Sequence, residues 1–301
     1  MDGGAAHWPV LVQEVLTLLA PAGRFVLVDG TIGLGGHAEA MLEAAGERAA
    51  LIGLDVDEGN LLLARRRLAR FGDRVRLFQA NFSLLGDVLH EANLPAADAV
   101  LADLGVSSNQ LDDGRRGLSF ALEGPLDMRL DDRLTKTAAD LVNRLAEAEL
   151  ADLIFAYGEE RYSRRIARAV VAARRQKRIE STVGLANLVA AAYPRVSRRS
   201  RRGVHPATRT FQALRIAVND EMGHLERFLD RLPSVLAVGG RAAVISFHSL
   251  EDRRVKQAFA RWTSTGTARL LNERVIAPTE SEVRDNPRCR SAKLRGLERL
   301  A

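Results

Sequence analysis

The nine residues Asp29–His37, with the sequence DGTIGLGGH, have the types and spacing of a loop that binds a nucleotide cofactor. They follow the apolar run Phe25–Val28 and precede a helix-like stretch at residues 38–45. Glycines let the backbone approach a ligand where a Cβ atom would clash, and the first turn of a helix offers unpaired N–H groups. A strand, a glycine-rich turn and a helix in this order therefore predict a cofactor site rather than a plain tight turn.

An acidic residue downstream of the loop narrows the class of cofactor. Asp55 ends the apolar run Leu51–Leu54 and follows Gly35 by 20 positions, the offset at which doubly wound folds place an acid on a ribose. A nicotinamide dinucleotide would use the same features, so they do not choose the cofactor. Asp29 before the glycines, and the departure from G-x-G-x-x-G, favour S-adenosyl-L-methionine, which has no pyrophosphate to be held.

A second segment with chemical potential, Asp103–Gln110 (DLGVSSNQ), lies at the end of the fourth apolar run. Ligands of open parallel sheets bind beyond the carboxyl ends of the strands, which puts Asp103 opposite the reactive end of the cofactor. The alternative is an acid that caps the next helix, and it is the weaker one because small residues here leave room for a substrate. Gln110 is long enough to reach a nucleoside, but a surface position is equally open.

Two more side chains stay undecided between ligand binding and structure. Phe82 follows the third apolar run and would either cover an adenine ring or pack in the core. His37 lies in the first turn of the predicted helix, where its ring would either line the cofactor pocket or cap the helix. Residue type and spacing do not decide between these roles.

Two other segments are candidates for contact with a substrate. His205–Gln212 mixes hydrogen-bond donors with one aromatic ring, as a site for phosphate and base would. Ser246–Asp252 ends the fifth apolar run and should face the same cleft as the other strand ends. We find no metal-ligand spacing of Cys and His, no P-loop lysine and no G-x-S-x-G elbow, so we expect no metal.

The distribution of charge points to a polyanionic partner. The net charge is +6, but residues 161–219 contain fifteen Lys and Arg against one acid, Glu180, and so carry +14. The remainder of the chain carries −8. An acidic body with one strongly basic segment favours nucleic acid over a merely solvated helix face.

Composition is that of a cytosolic protein with an ordinary core. The chain has 301 residues and 47% hydrophobic residues, and Cys289 is its only cysteine, so no internal disulfide can form. No apolar run approaches the roughly 20 residues needed to span a bilayer, and residues 1–7 do not resemble a signal peptide. We expect a cytoplasmic protein without a membrane partner, and the sequence leaves its oligomeric state open, a homodimer included.

Apolar runs define the elements that must position these residues. Five runs alternate with helical patterns, which indicates a parallel sheet covered on both faces. From residue 112 to 214 the pattern is helical only. This predicts a sheet domain of residues 1–111 and 215–301 and an inserted helical substrate-recognition domain of residues 112–214. Two edge strands are expected near the end of the chain. The five runs are Phe25–Val28, Leu51–Leu54, Val75–Phe78, Ala99–Leu104 and Ala242–Phe247. The two expected edge strands are Arg269–Val275 and Ala292–Leu300.

One helix of the insertion, Arg161–Arg175, has a basic face. Five arginines fall together on a helical wheel, opposite an aliphatic face that would pack inward. The guanidinium row would then face solvent or phosphate. These arginines are Arg161, Arg164, Arg165, Arg168 and Arg175.

The motifs together resemble one bacterial family, the small-subunit ribosomal RNA methyltransferases H, also called MraW, over nearly the whole chain. Each motif is moderately specific alone, and their order is very specific. The matching segments are His7–Leu11 with Glu14 and Val15, Asp29–His37, Asp103–Asp113, Gly124–Arg129, Tyr157–Arg161, His205–Gln212, Ser246–Asp252 and Asn286–Arg288.

The resemblance implies a Rossmann-like class I S-adenosylmethionine-dependent methyltransferase with an inserted all-helical domain. It implies methyl transfer to N4 of a decoding-region cytosine of 16S rRNA in the 30S subunit. Two segments depart from the family pattern: Arg261–Leu271 is shorter, and Ser197–Gly203 is richer in arginine. The residues it implies for cofactor binding are Gly35, Gly36, His37, Asp55, Phe82, Asp103 and Gln110.

Asp103 is also the candidate catalytic residue. Cytosine N4 is a poor nucleophile because its lone pair is delocalised into the ring, and an acceptor on the N4 hydrogens would let that lone pair localise. Other amine methyltransferases have two prolines and an aromatic residue after the acid, whereas this chain has Leu104–Val106. The acceptor role of Asp103 is therefore a hypothesis.

Three rival functions share some of these features. A nicotinamide-dependent dehydrogenase would need a hydride-handling residue, which we do not find. A DNA N4-cytosine methyltransferase shares the chemistry, and the bulky helical insertion argues for structured RNA instead. A non-catalytic RNA-binding factor would be expected to have a damaged pocket, yet Asp29, Asp55 and Asp103 are all present.

Overall fold

The computed structural model describes residues 9–194 and 205–301, which form two compact units. One unit contains residues up to 105 together with residues 222–301, and the other contains residues 106–221. The sequence pattern predicts the boundaries at 112 and 214; the units divide six or seven residues outside them, at the end of the fourth strand and the start of a long helix. His7, Trp8 and the arginine-rich segment Ser197–Gly203 lie outside the described residues.

The first unit is built on a seven-stranded sheet with the order β3-β2-β1-β4-β5-β7-β6. The first five strands run parallel, and β7 runs antiparallel to both of its neighbours. This is the doubly wound, Rossmann-like α/β sheet that the alternating apolar runs predict. The strands are β1 (Val26–Asp29), β2 (Ala50–Asp55), β3 (Val75–Gln79), β4 (Ala97–Asp103), β5 (Leu236–Ser246), β6 (Ala268–Leu270) and β7 (Lys293–Arg299).

Strand register brings the acidic strand ends to one edge of the sheet. Asp29, the last residue of β1, pairs with Gly53 of β2 and Leu101 of β4. Strands β2 and β4 continue two residues beyond these partners, to Asp55 and Asp103. Because parallel strands end on the same side of a sheet, the three acids lie at one edge. Three carboxylates thus follow three adjacent buried strands.

Helices cover both faces of this sheet, and each face has its own apolar core. One core includes the buried rings of Phe228 and Phe259, and the other includes Leu19 and Met41. No helix in the described part of the chain is long and apolar enough to span a bilayer. The helices are α1 (Val12–Leu19), α2 (Gly36–Ala45), α3 (Glu58–Arg67), α4 (Leu85–Glu91), α11 (Glu221–Val235), α12 (Ser249–Ser264) and α13 (Glu280–Asp285).

The first edge strand is shorter than the sequence pattern predicts. Strand β6 ends at Leu270, where the pattern continues to Val275. The Asn272 side chain takes over the pairing with β7, because its oxygen accepts from Gly296 N at 2.7 Å and its amide donates to Leu294 O at 3.2 Å. A side chain thus replaces the backbone ladder.

The second unit is helical and has a separate apolar core around Ile154, Ile166 and Leu185. Helices α7 and α10 approach each other closely, since a Cβ atom at Gly158 would lie 2.5 Å from Arg209 O. The all-helical insertion predicted after β4 is confirmed. Its helices are α5 (Ser108–Asp112), α6 (Ala138–Arg144), α7 (Glu147–Gly158), α8 (Ser163–Arg174), α9 (Thr182–Ala192) and α10 (Thr208–Asn219).

Candidate cofactor site at the carboxyl ends of the strands

The glycine-rich loop leaves β1 and is hydrogen-bonded to the strands on either side. Gly30 N donates to Leu101 O of β4, and Ile32 N donates to Leu54 O of β2, both at 2.8 Å. Gly35 then forms the N-cap of α2 with φ +79°, a left-handed conformation that favours glycine. The loop therefore has a defined path that ends on the first turn of α2, with little side chain in the way.

Asp55 is held by donors from its own turn and from the glycine loop. Its Oδ2 accepts from Gly33 N at 3.0 Å and from Asn60 Nδ2 at 3.1 Å, and its Oδ1 accepts from Asp57 N at 2.9 Å. Burial raises the pKa of Asp55 to about 6, against the opposing effect of these hydrogen bonds. The result is an oriented carboxylate next to the loop, as a site for paired ribose hydroxyls requires.

Asp29 is the most buried of the strand-end acids, with 1% of its surface exposed. Its Oδ1 accepts from Thr31 N at 3.2 Å. Burial raises the pKa of Asp29 to about 7, and the nearby charge of Asp55 adds to the rise. A buried acid of this kind costs stability when it ionises, so its position at the loop is better explained by the site than by the fold.

Asp103 combines a fixed backbone with an unsatisfied carboxylate oxygen. Its N–H donates to Thr31 Oγ1 at 2.6 Å, which ties the end of β4 to the glycine loop. The side chain is 24% exposed overall, yet Oδ1 is buried and has no hydrogen-bond partner in the described part of the chain. Burial, and then the charges of Asp29 and Glu251, raise the pKa of Asp103 well above its usual range.

His37 faces Asp103 with a defined ring nitrogen. Its Nε2 lies 2.8 Å from Val10 O, and because a carbonyl only accepts, Nε2 carries a proton. The other nitrogen, Nδ1, lies 3.6 Å from Asp103 Oδ2. The His37 ring therefore lies between the backbone carbonyl of Val10 and the carboxylate of Asp103.

Phe82 borders the loop and also packs in the core. It begins a short 3₁₀ turn after β3, and its ring makes an edge-to-face contact with Phe228 at 5.4 Å. A Cβ atom at Gly30 would lie 3.2 Å from Phe82 Cβ, so the aromatic residue lies directly beside the glycine loop. The two roles considered for Phe82 are compatible with this position.

Gln110 belongs to the helical unit, where it caps a helix. Its Oε1 accepts from Ser107 N at 3.0 Å, in a capping box at the start of α5, and the residue is 5% exposed. The surface position that the sequence left open is therefore wrong.

Two residues near the acids escape notice in the sequence. Asn60 orients Asp55, and the only signal for Asn60 in the sequence is the Asp57-x-x-Asn60 pattern of a helix start.

The second residue is Glu251, within the segment Ser246–Asp252, and it is 2% exposed. Its Oε2 accepts from Phe247 N at 2.8 Å, and its Oε1 lies 3.1 Å from His248 Nε2. The negative charge of Glu251 contributes to the raised pKa of Asp103, and its segment follows Ser246, the last residue of β5.

These groups fit a nucleoside that carries hydroxyls and a positive charge. Asp55 offers an oriented acceptor, and the glycine loop admits a ligand close to the backbone. The buried Asp103 Oδ1 has no donor in the described residues, so this oxygen is available to accept a hydrogen bond from a bound molecule. S-adenosylmethionine supplies ribose hydroxyls, an ammonium group and a sulfonium.

Comparison with known proteins agrees with this chemistry. The MraW methylase family matches residues 4–300. The ribosomal RNA small subunit methyltransferase H of Geobacter sulfurreducens is 49% identical over 310 residues, which cover 98% of this chain and 99% of that protein. The protein of the same name from Syntrophobacter fumaroxidans is 47% identical over 316 residues, which cover 99% of this chain and 98% of that protein. The chain therefore belongs to the MraW methylase family, with the class I methyltransferase fold and S-adenosylmethionine as its cofactor.

Proposed function

We propose that the protein transfers a methyl group from S-adenosylmethionine to the exocyclic N4 of a decoding-region cytosine of 16S rRNA, cytosine 1402, in the small ribosomal subunit. Two full-length relatives carry the name of a small-subunit rRNA methyltransferase, which supports the class of substrate. The observation that carries the proposal is the buried Asp103 Oδ1, which has no donor in the described residues and lies at the end of the strand next to the glycine loop. Such a substrate is cytoplasmic, and so is the proposed enzyme.

The cofactor would be held by the glycine loop and by the acids that end the neighbouring strands β2, β1 and β4. Gly35 and Gly36 allow close approach to the start of α2, Asp55 would accept from the ribose hydroxyls, and Phe82 would lie against the adenine. When bound, the cofactor supplies an electrophilic methyl group on sulfur.

Asp103 would act on the nucleophile. A carboxylate oxygen without a partner can accept a hydrogen bond from the N4 amino group, which lets the N4 lone pair localise as the new bond to carbon forms. One N4 proton must then leave, and Asp103 Oδ1 is the acceptor within the site. Its raised pKa makes the ionised carboxylate a stronger base than an exposed one, and Asp103 must be ionised before the reaction to take this proton.

His37 would keep Asp103 in its basic form. Val10 O fixes a proton on Nε2, so Nδ1 is the nitrogen that gains or loses the second proton, 3.6 Å from Asp103 Oδ2. With that proton on Nδ1 the pair is an imidazolium and a carboxylate, and with it on Asp103 the pair is neutral. His37 is thus a positioning residue for the charge on Asp103.

The helical unit would recognise the RNA. We expect this role for residues 106–221 because the whole segment with charge +14 lies there, and no cofactor-binding strand end does. A target base must be unstacked to reach a buried acceptor, and single-stranded or looped RNA loses least in doing so.

Tritium transfer from labelled S-adenosylmethionine tests the proposal. The acceptors are isolated 30S subunits, naked 16S rRNA and duplex DNA, followed by mass spectrometry of the nucleosides. We expect label in 30S subunits as N4-methylcytidine, with loss of label in Asp103→Ala. Label in DNA, in another nucleoside or in none of the three would contradict the proposal.

A further inference from the structure

Helix α8 has one face in the core and one face of unneutralised arginines. Its apolar side is fully packed, with Ile166, Ala167 and Val170 each at most 1% exposed. The other side is exposed and contains every arginine of the basic face predicted for this helix, from the turn before it to its C-cap residue. The members of this arginine face are Arg161, Arg164, Arg165, Arg168 and Arg175.

Only one of the five charges on the arginine face is paired with an acid in the described part of the chain. Arg168 lies 3.5 Å from Glu147, and Arg161 stacks on the ring of Tyr162 at 4.6 Å. Arg164, Arg165 and Arg175 have no carboxylate within ion-pair distance in the described part of the chain. Many exposed arginines elsewhere do have one, for example those paired with Asp131, Asp230 and Asp87.

Stability of the helix does not account for this arrangement. Arg164 and Arg165 lie in the first turn of α8, where the helix dipole disfavours cations, and that turn contains no acid. Arg164 and Arg168 are like charges spaced four residues apart on this helix, which repel. A face that costs helix stability in two ways is better explained by a ligand.

We infer that the arginine face of α8 binds the phosphate backbone of the RNA substrate, an inference that rests on the proposed function. The planar guanidinium fork matches phosphate oxygens, and successive arginines from Arg164 to Arg175 span about 16 Å at the rise of an α-helix. A membrane surface is disfavoured because it requires exposed apolar side chains beside the cations, and those of α8 are in the core. Contacts of this kind give affinity without sequence preference.

A triple variant, Arg164→Gln with Arg165→Gln and Arg175→Gln, tests the inference. The matched control replaces three exposed arginines of the sheet unit, Arg48, Arg65 and Arg66, with glutamine. Binding of naked 16S rRNA is measured from 50 to 300 mM salt, together with cofactor affinity by calorimetry and thermal unfolding.

We expect the α8 variant to bind RNA at least tenfold more weakly at physiological salt. The slope of log affinity against log salt concentration should become less steep by about 2 to 3, since each lost phosphate contact contributes roughly 0.7 to 0.9 to that slope. Cofactor affinity and unfolding temperature should match the wild type. An unchanged slope, or an equal loss in the control, would overturn the inference.

Two further arms separate this inference from its alternatives. Polyglutamate serves as a probe for an acidic protein partner: if the α8 variant loses affinity for polyglutamate and retains its affinity for RNA, the arginine face binds protein and the inference is wrong. If the wild type methylates 30S subunits while the variant keeps full RNA affinity, only the inference fails. If the wild type methylates none of the RNA acceptors, the proposed function itself fails.

Discussion

Replacement of His37 by glutamine should impair methyl transfer by raising the pKa of Asp103. Glutamine retains a donor for Val10 O but cannot hold a proton at the position of Nδ1. At the observed 3.6 Å, the attraction between an imidazolium and the Asp103 carboxylate is about 5 kcal/mol at an effective dielectric constant of 20 and about 1 kcal/mol at that of water. Asp103 is 24% exposed, so the effect lies between these limits.

Loss of this attraction should raise the pKa of Asp103 in the variant. Single-turnover rates with 30S subunits, measured from pH 6 to 10, should fall at least tenfold at pH 7 and recover at higher pH. The same substitution at His90, an exposed histidine of α4, serves as the control.

Two outcomes would refute the reasoning on His37. One is an unchanged pH profile. The other is a loss of cofactor affinity at every pH with an unchanged single-turnover rate, which would make His37 a ligand for the cofactor and nothing more. The double variant of His37→Gln with Asp103→Asn should be no slower than Asp103→Asn alone, because His37 acts through that carboxylate.

Three other substitutions have defined outcomes. Asp29→Asn should stabilise the protein above pH 7. The folded-state pKa of Asp29 is raised to about 7, so ionisation of this acid costs the folded state up to about 4 kcal/mol as pH rises from about 4 to 7. Urea unfolding at pH 5 and 8 should show a difference in the free energy of unfolding between variant and wild type that grows with pH. Gly30→Ala should weaken cofactor binding in calorimetry several-fold, because the new Cβ would lie 3.2 Å from Phe82 Cβ and displace that residue; equal affinity would show that the loop adapts. Tyr193→Phe should lower the free energy of unfolding by about 1 to 3 kcal/mol, because the Tyr193 hydroxyl donates at 2.5 Å to Glu160, which is 2% exposed. A change below about 0.5 kcal/mol would contradict this.

The sheet and its acids could be predicted because local pattern determines them. Short apolar runs between helical patterns mark buried parallel strands, and the polar residue that ends each run must lie at the carboxyl edge. Asp29, Asp55 and Asp103 follow from that rule alone. The helical insertion is equally visible, since an aliphatic face at helical spacing recurs through it.

Contacts between residues distant in the chain could not be predicted in the same way. The tautomer of His37 depends on Val10, 27 positions earlier, and the charge of Glu251 acts on Asp103 across the sheet. Gln110 has the length to reach a ligand, and residue type alone does not reveal that its Oε1 accepts a local hydrogen bond at the start of α5. Strand β6 ends early because one asparagine side chain replaces its ladder, which residue type alone does not reveal.

The most direct test of the central claim is a crystal structure with S-adenosylhomocysteine bound. Our account predicts the ribose hydroxyls within hydrogen-bond distance of the Asp55 carboxylate, the adenine against Phe82, and the sulfur on the side of the site where Asp103 Oδ1 lies. A nucleoside bound away from the glycine loop, or a ribose that does not contact Asp55, would contradict it.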